Sequence, residues 1–568
     1  MIETHKLASD MGWVAGKDYP EWGNNPLYLT TIKGGYLQEN ETPTQGYQRL
    51  AATAAYYLKD ASLESEFFNI LWNGWLIPST PVMVNFGTSK GLPISCFSGR
   101  VGDDMFELGR KQTELRMLSK CGGGTAYDFS LVRPTGALIR NGELGKADGV
   151  IPQIKSYDST ILASKQGDTR RGAVAMYLNT NHGDYEDFLE IREPKGDINR
   201  QCHNIHQGAV IEDSFMHKVI ASNGKERQLW TATLKKRVKT GEPYVFFKDN
   251  ANRNLPAFWQ KNNLTIHHSN LCSEIMLPTD PEHTLVCCLS SLNLHKYDEW
   301  KDTNTVKLAT YFLDAVIEDF INRSRHIKGI EDSTRFAIKS RALGLGTLGW
   351  HSYLQSKNIP FISIYANGLT NKIFGDIQAK SEAATLELGE ILGEPEWCRG
   401  TGRRNLTLMA IAPNRSSAKL AGGLSQGVEP LAANVYVDDD AKGLHIRRNP
   451  ELLKLLQSKE RDIHQVWDQI IADKGSVVNI RCLSEEEKDV FKTFKEINQL
   501  ELVKQAGLRQ KYINLAFQQD APAKFINQVH IAAWEVGLKA LYYFRSESIL
   551  RADSEQRDLY SECQMCEG

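Results

Sequence analysis

The chain has 568 residues, is 41% hydrophobic and 24% charged, and carries a formal net charge of -2. That length exceeds one core of ordinary domain size, so the fold is either several domains or one large barrel or α/β body. The near-neutral charge offers no general basic field for nucleic acid, and neither a signal core nor a membrane-length apolar run is legible, so a cytoplasmic protein is expected.

From residue 46, GYQRLAATAAYYLKDASLESEFFNILWNGWL combines helical periodicity with good helix formers. An N-terminal helical region is therefore expected over residues 1–77. STPVMVNFG, 79–87, reads as a turn and then a short apolar strand. LPISCFSG, 92–99, reads as another strand and carries Cys96. The glycines of CGGGTAYDFSLVRPTG, 121–136, suit tight turns or close backbone approach. From AVAMYLNTNHGDYEDFLEIR, beginning at residue 173, to about residue 545, short apolar runs alternate with helical ones, which implies an α/β architecture. The last stretch, RADSEQRDLYSECQMCEG, is polar and is expected to stay unpacked.

Several segments carry possible chemistry. In SNLCSEIMLP, 269–278, the residues Asn270, Cys272 and Glu274 occupy alternate positions. On an extended backbone they would form one polar row. The plainer alternative is a buried cysteine between two exposed polar neighbours. SCFSG and VCCLSSLNL place Cys96, Cys287 and Cys288 in strand-like runs. Two such strands side by side could hold a dithiol that donates two electrons, or simply two core cysteines. In APNRSSAKLAGGLSQGVEP, Asn414, Ser416 and Ser417 precede a short helical pattern, as caps do. The free N–H groups of such a helix start bind phosphate well. Tyr542 and Tyr543 in LKALYYFRS either point to opposite faces of a strand or relay an electron together with a proton. Ten cysteines are too sparse for a disulfide scaffold in this length. The final pair, Cys563 and Cys566, reads as a redox C-x-x-C, as half of a metal site, or as incidental; no second pair with zinc-site spacing accompanies it.

Taken in order, STPVM, SCFSG followed by Asp103, NLCSE, VCCLSSLNL, PNRSS with GVEP, LYYFR and the terminal CQMC resemble the catalytic (large) subunit of class I ribonucleotide reductase. The resemblance implies an α/β barrel of ten strands, built from two antiparallel halves of five parallel strands, over residues 78–548, with a redox tail at 549–568. It implies that Cys272, at the tip of a loop threaded into the barrel, becomes a thiyl radical and abstracts the 3′ hydrogen of the substrate ribose. Glu274 would be the general base on the 3′ hydroxyl and Asn270 would bind substrate. Cys96 and Cys287 would supply two electrons, Cys287 being preferred because Cys288 should face away on a strand. Cys563 and Cys566 would re-reduce the resulting disulfide and be reduced in turn by thioredoxin or glutaredoxin. Tyr542 and Tyr543 would carry the oxidising equivalent from a metal-containing small subunit, with no cofactor bound in this chain. Thr80, Asn414, Arg415, Ser416 and Ser417 would bind substrate. Asp103 and Arg133 would bind a deoxynucleoside triphosphate or ATP as specificity effector, with residues 196–204 relaying the choice. A homodimer is allowed; DNA and membrane partners are not expected.

Two departures bear on function. Arg415 stands where many relatives carry an acidic residue, which leaves diphosphate and triphosphate substrates both open. Only a short segment precedes STPVM, so the N-terminal nucleotide-binding domain behind overall dATP control is expected to be missing. The alternatives are a class II reductase using adenosylcobalamin, a glycyl-radical enzyme, and a regulatory nucleotide-binding protein on a degenerate reductase fold. The tyrosine pair disfavours the first, the lack of a glycyl-radical motif the second, and the intact Cys96, Cys272, Glu274 and Cys287 set the third.

Overall fold

The computed structural model describes residues 2–164, 172–194, 196–440, 443–459, 463–512 and 526–542. Its strands are β1 (Leu76–Pro78), β2 (Cys96–Arg100), β3 (Gly124–Asp128), β4 (Val174–Asn179), β5 (His206–Ile211), β6 (Tyr244–Phe247), β7 (Leu285–Asn293), β8 (Leu343–Leu348), β9 (Val435–Asp440), β10 (Gly443–Arg448) and β11 (Ala540–Leu541). β2 to β6 pair in sequence order and all run parallel. They form one five-stranded half of the expected α/β barrel.

The other half runs in the opposite direction. β7 is antiparallel to β2, with Cys96 directly opposite Cys287, and it is parallel to β8. β8 is continued by a parallel bridge from Leu345 to Met409. On the far side, β11 is antiparallel to β6. β1 takes the second stretch of β7, with Leu76 opposite Leu292. β3, β7 and β8 are buried along their whole length. Burial on both faces explains why these strands read as nearly continuous apolar runs rather than as alternating ones.

The N-terminal region is helical, as its periodicity predicts. The helix Pro43–Leu58 starts at a capping box between Thr42 and Gln45 and stops at Lys59, whose φ is +58°. The helix Thr305–Ser324 is buried almost throughout, against Pro43–Leu58, Ile364–Leu392 and the strands β7 and β8. Among the described residues no helix is long and apolar enough to cross a membrane.

Two local expectations need correction, and one feature is new. STPVMVNFG forms the helix Thr80–Asn85, not a strand. Pro81 presets a helical φ in its first turn, and an apolar run buried on all sides does not reveal its period. Asn414 stands at the start of the helix Arg415–Leu420 but makes no side-chain cap, and Ser416 and Ser417 lie inside that helix. Finally, residues 435–491 contain a second apolar cluster that the sequence does not announce. It is built on Val435, Leu452, Leu456, Trp467, Ile470 and Phe491, beside the β9–β10 hairpin.

Candidate active site

Between β6 and β7 the chain does something unusual for a loop. Residues 268–279 are all buried, yet they form neither helix nor strand. Buried backbone groups must find partners inside the protein. Asn270 supplies two of them, its Oδ1 accepting the N–H groups of Glu274 at 3.0 Å and Ile275 at 3.1 Å. Ser269 donates to the Ile275 carbonyl at 2.8 Å, and Ser98 on β2 donates to the Ser269 carbonyl at 3.0 Å. The Asn270 carbonyl accepts from Ser273 N–H at 3.2 Å and from the Tyr177 hydroxyl at 2.7 Å. Ser273 has a φ of +61°, so the segment is a tight turn. The expected polar row on an extended backbone is therefore replaced by a turn. The turn draws Asn270, Cys272 and Glu274 together because the Asn270 side chain folds back on the backbone beyond the cysteine.

This turn faces the seam between the two halves of the barrel. The Cys96 thiol lies 4.0 Å from Glu274 Oε1. Cys287 is in register with Cys96, whereas Cys288 is in register with Leu343 on β8. The ideal Cβ position at Gly344 lies 2.8 Å from the Cys287 sulfur, so only glycine leaves room for that thiol. On the other side, the Tyr542 side chain hydrogen-bonds the Cys272 thiol. Tyr542 is placed by its ring contact with Tyr244, 4.7 Å between centroids, and by Arg237, whose guanidinium donates to the Tyr542 carbonyl.

The electrostatics of the pocket disfavour charge. Burial pushes the Cys272 thiol well up from its ordinary value, and nearby Glu274 and Cys96 add to the shift. Burial does the same to Cys287, with Cys96 and Cys288 contributing. Both are held as neutral S–H groups. Glu274 is pushed up by burial to about 7. Among the described residues, Glu274 Oε2 and Asn270 Nδ2 are buried without a hydrogen-bond partner. Such groups need a polar partner to offset their desolvation. A buried acceptor and a buried donor beside a neutral thiol suit a hydroxyl-bearing molecule.

The other candidate residues within the described structure make contacts of their own with the protein. Asn414 is buried and its side chain is spent within the protein: Oδ1 accepts from Ser291 on β7 at 2.7 Å, and Nδ2 donates to the carbonyls of Thr347 and Ala412 at 3.0 Å. Arg415 is exposed, while Ser416 and Ser417 are buried. Thr80 shares a hydrogen bond of 3.0 Å with the Tyr36 hydroxyl. Asp103 accepts both Arg133 N–H at 3.0 Å and Arg133 Nε at 2.9 Å, in a partly exposed pair. The loop 196–204 is tied to the helix Val150–Leu162 through Asn204 N–H to Asp158, 2.8 Å. Tyr543, Cys563 and Cys566 lie outside the described residues. Sequence reading missed Tyr177, Ser273, Ser98 and Gly344; each looks like an ordinary strand or loop residue, with no local signal of its contact.

Comparison with known proteins agrees with this architecture. The family model described as "Ribonucleotide reductase, barrel domain" matches residues 94–225, 220–401 and 395–544. The model "Ribonucleotide reductase, all-alpha domain" matches residues 24–91. The ribonucleoside-diphosphate reductase large subunit of Invertebrate iridescent virus 3 is 34% identical, across 95% of this chain and 98% of that protein. The ribonucleoside-diphosphate reductase subunit alpha of Chlamydia muridarum is 28% identical, across 98% of this chain and 62% of its own length. Among solved structures, the Actinobacillus ureae class Id ribonucleotide reductase alpha subunit superposes with a TM-score of 0.86 at 39% identity, covering 93% of this chain and 97% of that one. With these matches spanning nearly its whole length, the chain belongs to the ribonucleotide reductase large-subunit family.

Proposed function

We propose that this large subunit reduces ribonucleoside diphosphates by a thiyl-radical mechanism centred on Cys272. The observation that carries the reading is the setting of that thiol: neutral, sealed from solvent, touching Tyr542 on one side, with Glu274 and Cys96 on the other. A neutral S–H is the form that loses and regains a hydrogen atom. Exclusion of water protects a radical from quenching. Relatives of matching length are named for ribonucleoside diphosphates, which supports the diphosphate over the triphosphate.

The balance of the reaction follows from the residues. Cys272, as a thiyl, takes the 3′ hydrogen atom of the ribose and returns it at the end, so it is not consumed. Glu274 accepts the proton of the 3′ hydroxyl, and Asn270 Nδ2 donates to the sugar. The 2′ hydroxyl leaves as water. The two electrons and two protons that this requires come from Cys96 and Cys287, which become a disulfide. Their opposed positions on β2 and β7 support that pairing. Tyr543 and then Tyr542 carry the oxidising equivalent from a metal-containing small subunit to Cys272, and the Tyr542 contact favours this route over local radical generation with adenosylcobalamin. Cys563 and Cys566 reduce the spent disulfide and are recharged by thioredoxin or glutaredoxin. Thr80 and the segment Asn414–Ser417, the latter through its main chain at Asn414 where the side chain is already bonded, receive the substrate's phosphates, and Asp103 with Arg133 receives a nucleoside triphosphate that selects the base.

Cys272→Ser is expected to abolish turnover with nucleotide binding retained, because the hydroxyl keeps the shape but its O–H bond is too strong to break. Tyr542→Phe should likewise abolish turnover supported by the small subunit, since phenylalanine is not oxidised at an accessible potential. Steady-state assays with the small subunit, alongside equilibrium nucleotide binding, check both; full activity in either variant removes that residue from the radical path.

Glu274 must be ionised to act as a base, so kcat/KM should rise with pH as a single titration near its value of about 7. The stability effect has the opposite sign. A carboxyl raised from 4.5 to about 7 by folding contributes stability below pH 4.5 that is lost as pH climbs to 7. Relative to Glu274→Gln, the wild type should therefore lose about 3 kcal/mol across that window and nothing further above it. Denaturant unfolding at a series of pH values measures this, and a constant difference would mean the carboxyl is not raised.

For the tail, Cys563→Ser with Cys566→Ser should leave one round of reduction intact and then stall with thioredoxin. Dithiothreitol, small enough to enter the barrel, should restore much of the rate. Rapid-quench counting of product per active site separates this from a tail without a role, which would turn over normally with thioredoxin. For the effector pair, Asp103→Ala should erase the dependence of substrate preference on added nucleotide, measured with competing substrates; an unchanged preference would leave Asp103 and Arg133 as a surface ion pair.

A further inference from the structure

The Cys272 turn contains one strained backbone position. Its tightest point, Ser273, has a φ of +61°, a region that residues with a Cβ avoid. Glycine would take that conformation freely, yet the chain has serine here. The serine side chain is completely buried, and its hydroxyl lies 2.9 Å from the Tyr177 hydroxyl. The Tyr177 proton is already committed to the Asn270 carbonyl at 2.7 Å. Ser273 must therefore be the donor to Tyr177. One phenol thus accepts from the residue after the cysteine and donates to the residue two before it, closing the turn from the side.

The phenol is itself built into place. Tyr177 sits in β4 directly opposite Gly208 in β5. The ideal Cβ position at Gly208 falls 2.4 Å from Cδ1 and Cε1 of the Tyr177 ring. The ring lies across the neighbouring strand where any larger residue would displace it. The Tyr177 ring also meets the His268 ring, 5.6 Å away, which Ser98 on β2 holds through Nε2 at 2.7 Å. Burial raises the Tyr177 phenol far above its ordinary value, so it remains a neutral donor.

We infer that Tyr177 is a positioning residue for the reaction: by bridging Asn270 and Ser273 it holds the turn in the left-handed conformation that aims Cys272 between Tyr542 and the substrate. The inference rests on Cys272 being the reacting thiol. Hydrogen-atom transfer is steeply sensitive to distance and direction, so a turn that relaxes at Ser273 withdraws the sulfur without emptying the pocket.

The test uses the complete enzyme, large and small subunits together, assayed on a ribonucleoside diphosphate with thioredoxin. Tyr177→Phe keeps the ring over Gly208 and removes only the hydroxyl. It should lower kcat by about 10- to 100-fold with KM changed less than about 2-fold. In a Ser273→Gly background the left-handed turn needs no support, and there the same phenylalanine should cost less than about 3-fold. Two results overturn the inference: a wild-type kcat in Tyr177→Phe, or an equal loss in both backgrounds, which would mean that the hydroxyl acts independently of the turn. Should Tyr177→Phe fold poorly, Ser273→Ala decides instead. It removes the donor to the phenol while the strained φ remains, so kcat should fall at constant KM, and an unchanged kcat rejects the latch. Cys272→Ser keeps the two ideas apart. Turnover in that variant removes the thiol reading itself, whereas an inactive Cys272→Ser beside a fully active Tyr177→Phe removes only the latch.

Discussion

A stretch of irregular backbone at the centre of a barrel has no water to satisfy its N–H and C=O groups, and each group left unpaired there carries a desolvation penalty. Residues 268–279 meet that constraint with side chains. Asn270 accepts two backbone N–H groups, Ser269 and Ser98 donate to carbonyls on either side, and Tyr177 donates to a third. The result is a rigid turn presented from inside the fold, with Cys272 at its tip. Most loops carry function because they are exposed and adaptable. This one is enclosed, and partners from β2 and β4 brace its shape.

The same enclosure sets the chemistry. A nucleophilic cysteine needs a cation or a helix N-terminus beside it to stabilise the thiolate. Here burial is the main factor that raises the thiol, the Glu274 carboxyl and the Cys96 thiol add to it, and the hydrogen bond with the Tyr542 phenol offsets part of it. The pocket therefore opposes ionisation, which agrees with the hydrogen-atom exchange proposed for Cys272. Glu274 gains a pKa close to neutrality from the identical cause, which makes it a competent base at the cost of some stability. One physical factor, exclusion of water, thus raises both groups in the direction that their proposed tasks require.

How much of this was legible from the residues depends on the element. Cys96 and Cys287 could be placed in strands, and the preference for Cys287 over Cys288 followed from strand alternation. The register of β2 against β7 agrees with that preference. The Asn270, Cys272 and Glu274 group was legible as a set but for the wrong geometric reason, since a turn and not a strand gathers it. A turn made by a side chain folding back leaves no periodic trace. The helix at Thr80–Asn85 was hidden because complete burial erases the distinction between periods. Asn414 looked like a cap, and instead it joins β7 to the β8 segment, a long-range role that no local pattern encodes. Tyr177 and Gly208 are ordinary strand residues until their opposed register is known.

The pairing order of the strands has a consequence for how this chain comes off the ribosome. β2 to β6 are contiguous in sequence and complete by Phe247. At that point both margins of the five-stranded sheet are open. β2 waits for β7, and β6 waits for Ala540 and Leu541, almost three hundred residues later. Pairings so distant in sequence form late, and an apolar parallel sheet with bare margins is prone to capture strands from other chains. β2 gains its partner once β7 is made, but a nascent chain of this architecture spends about half of its synthesis with the β6 margin bare, and its yield in a cell is set by what shields that margin until the final strand arrives.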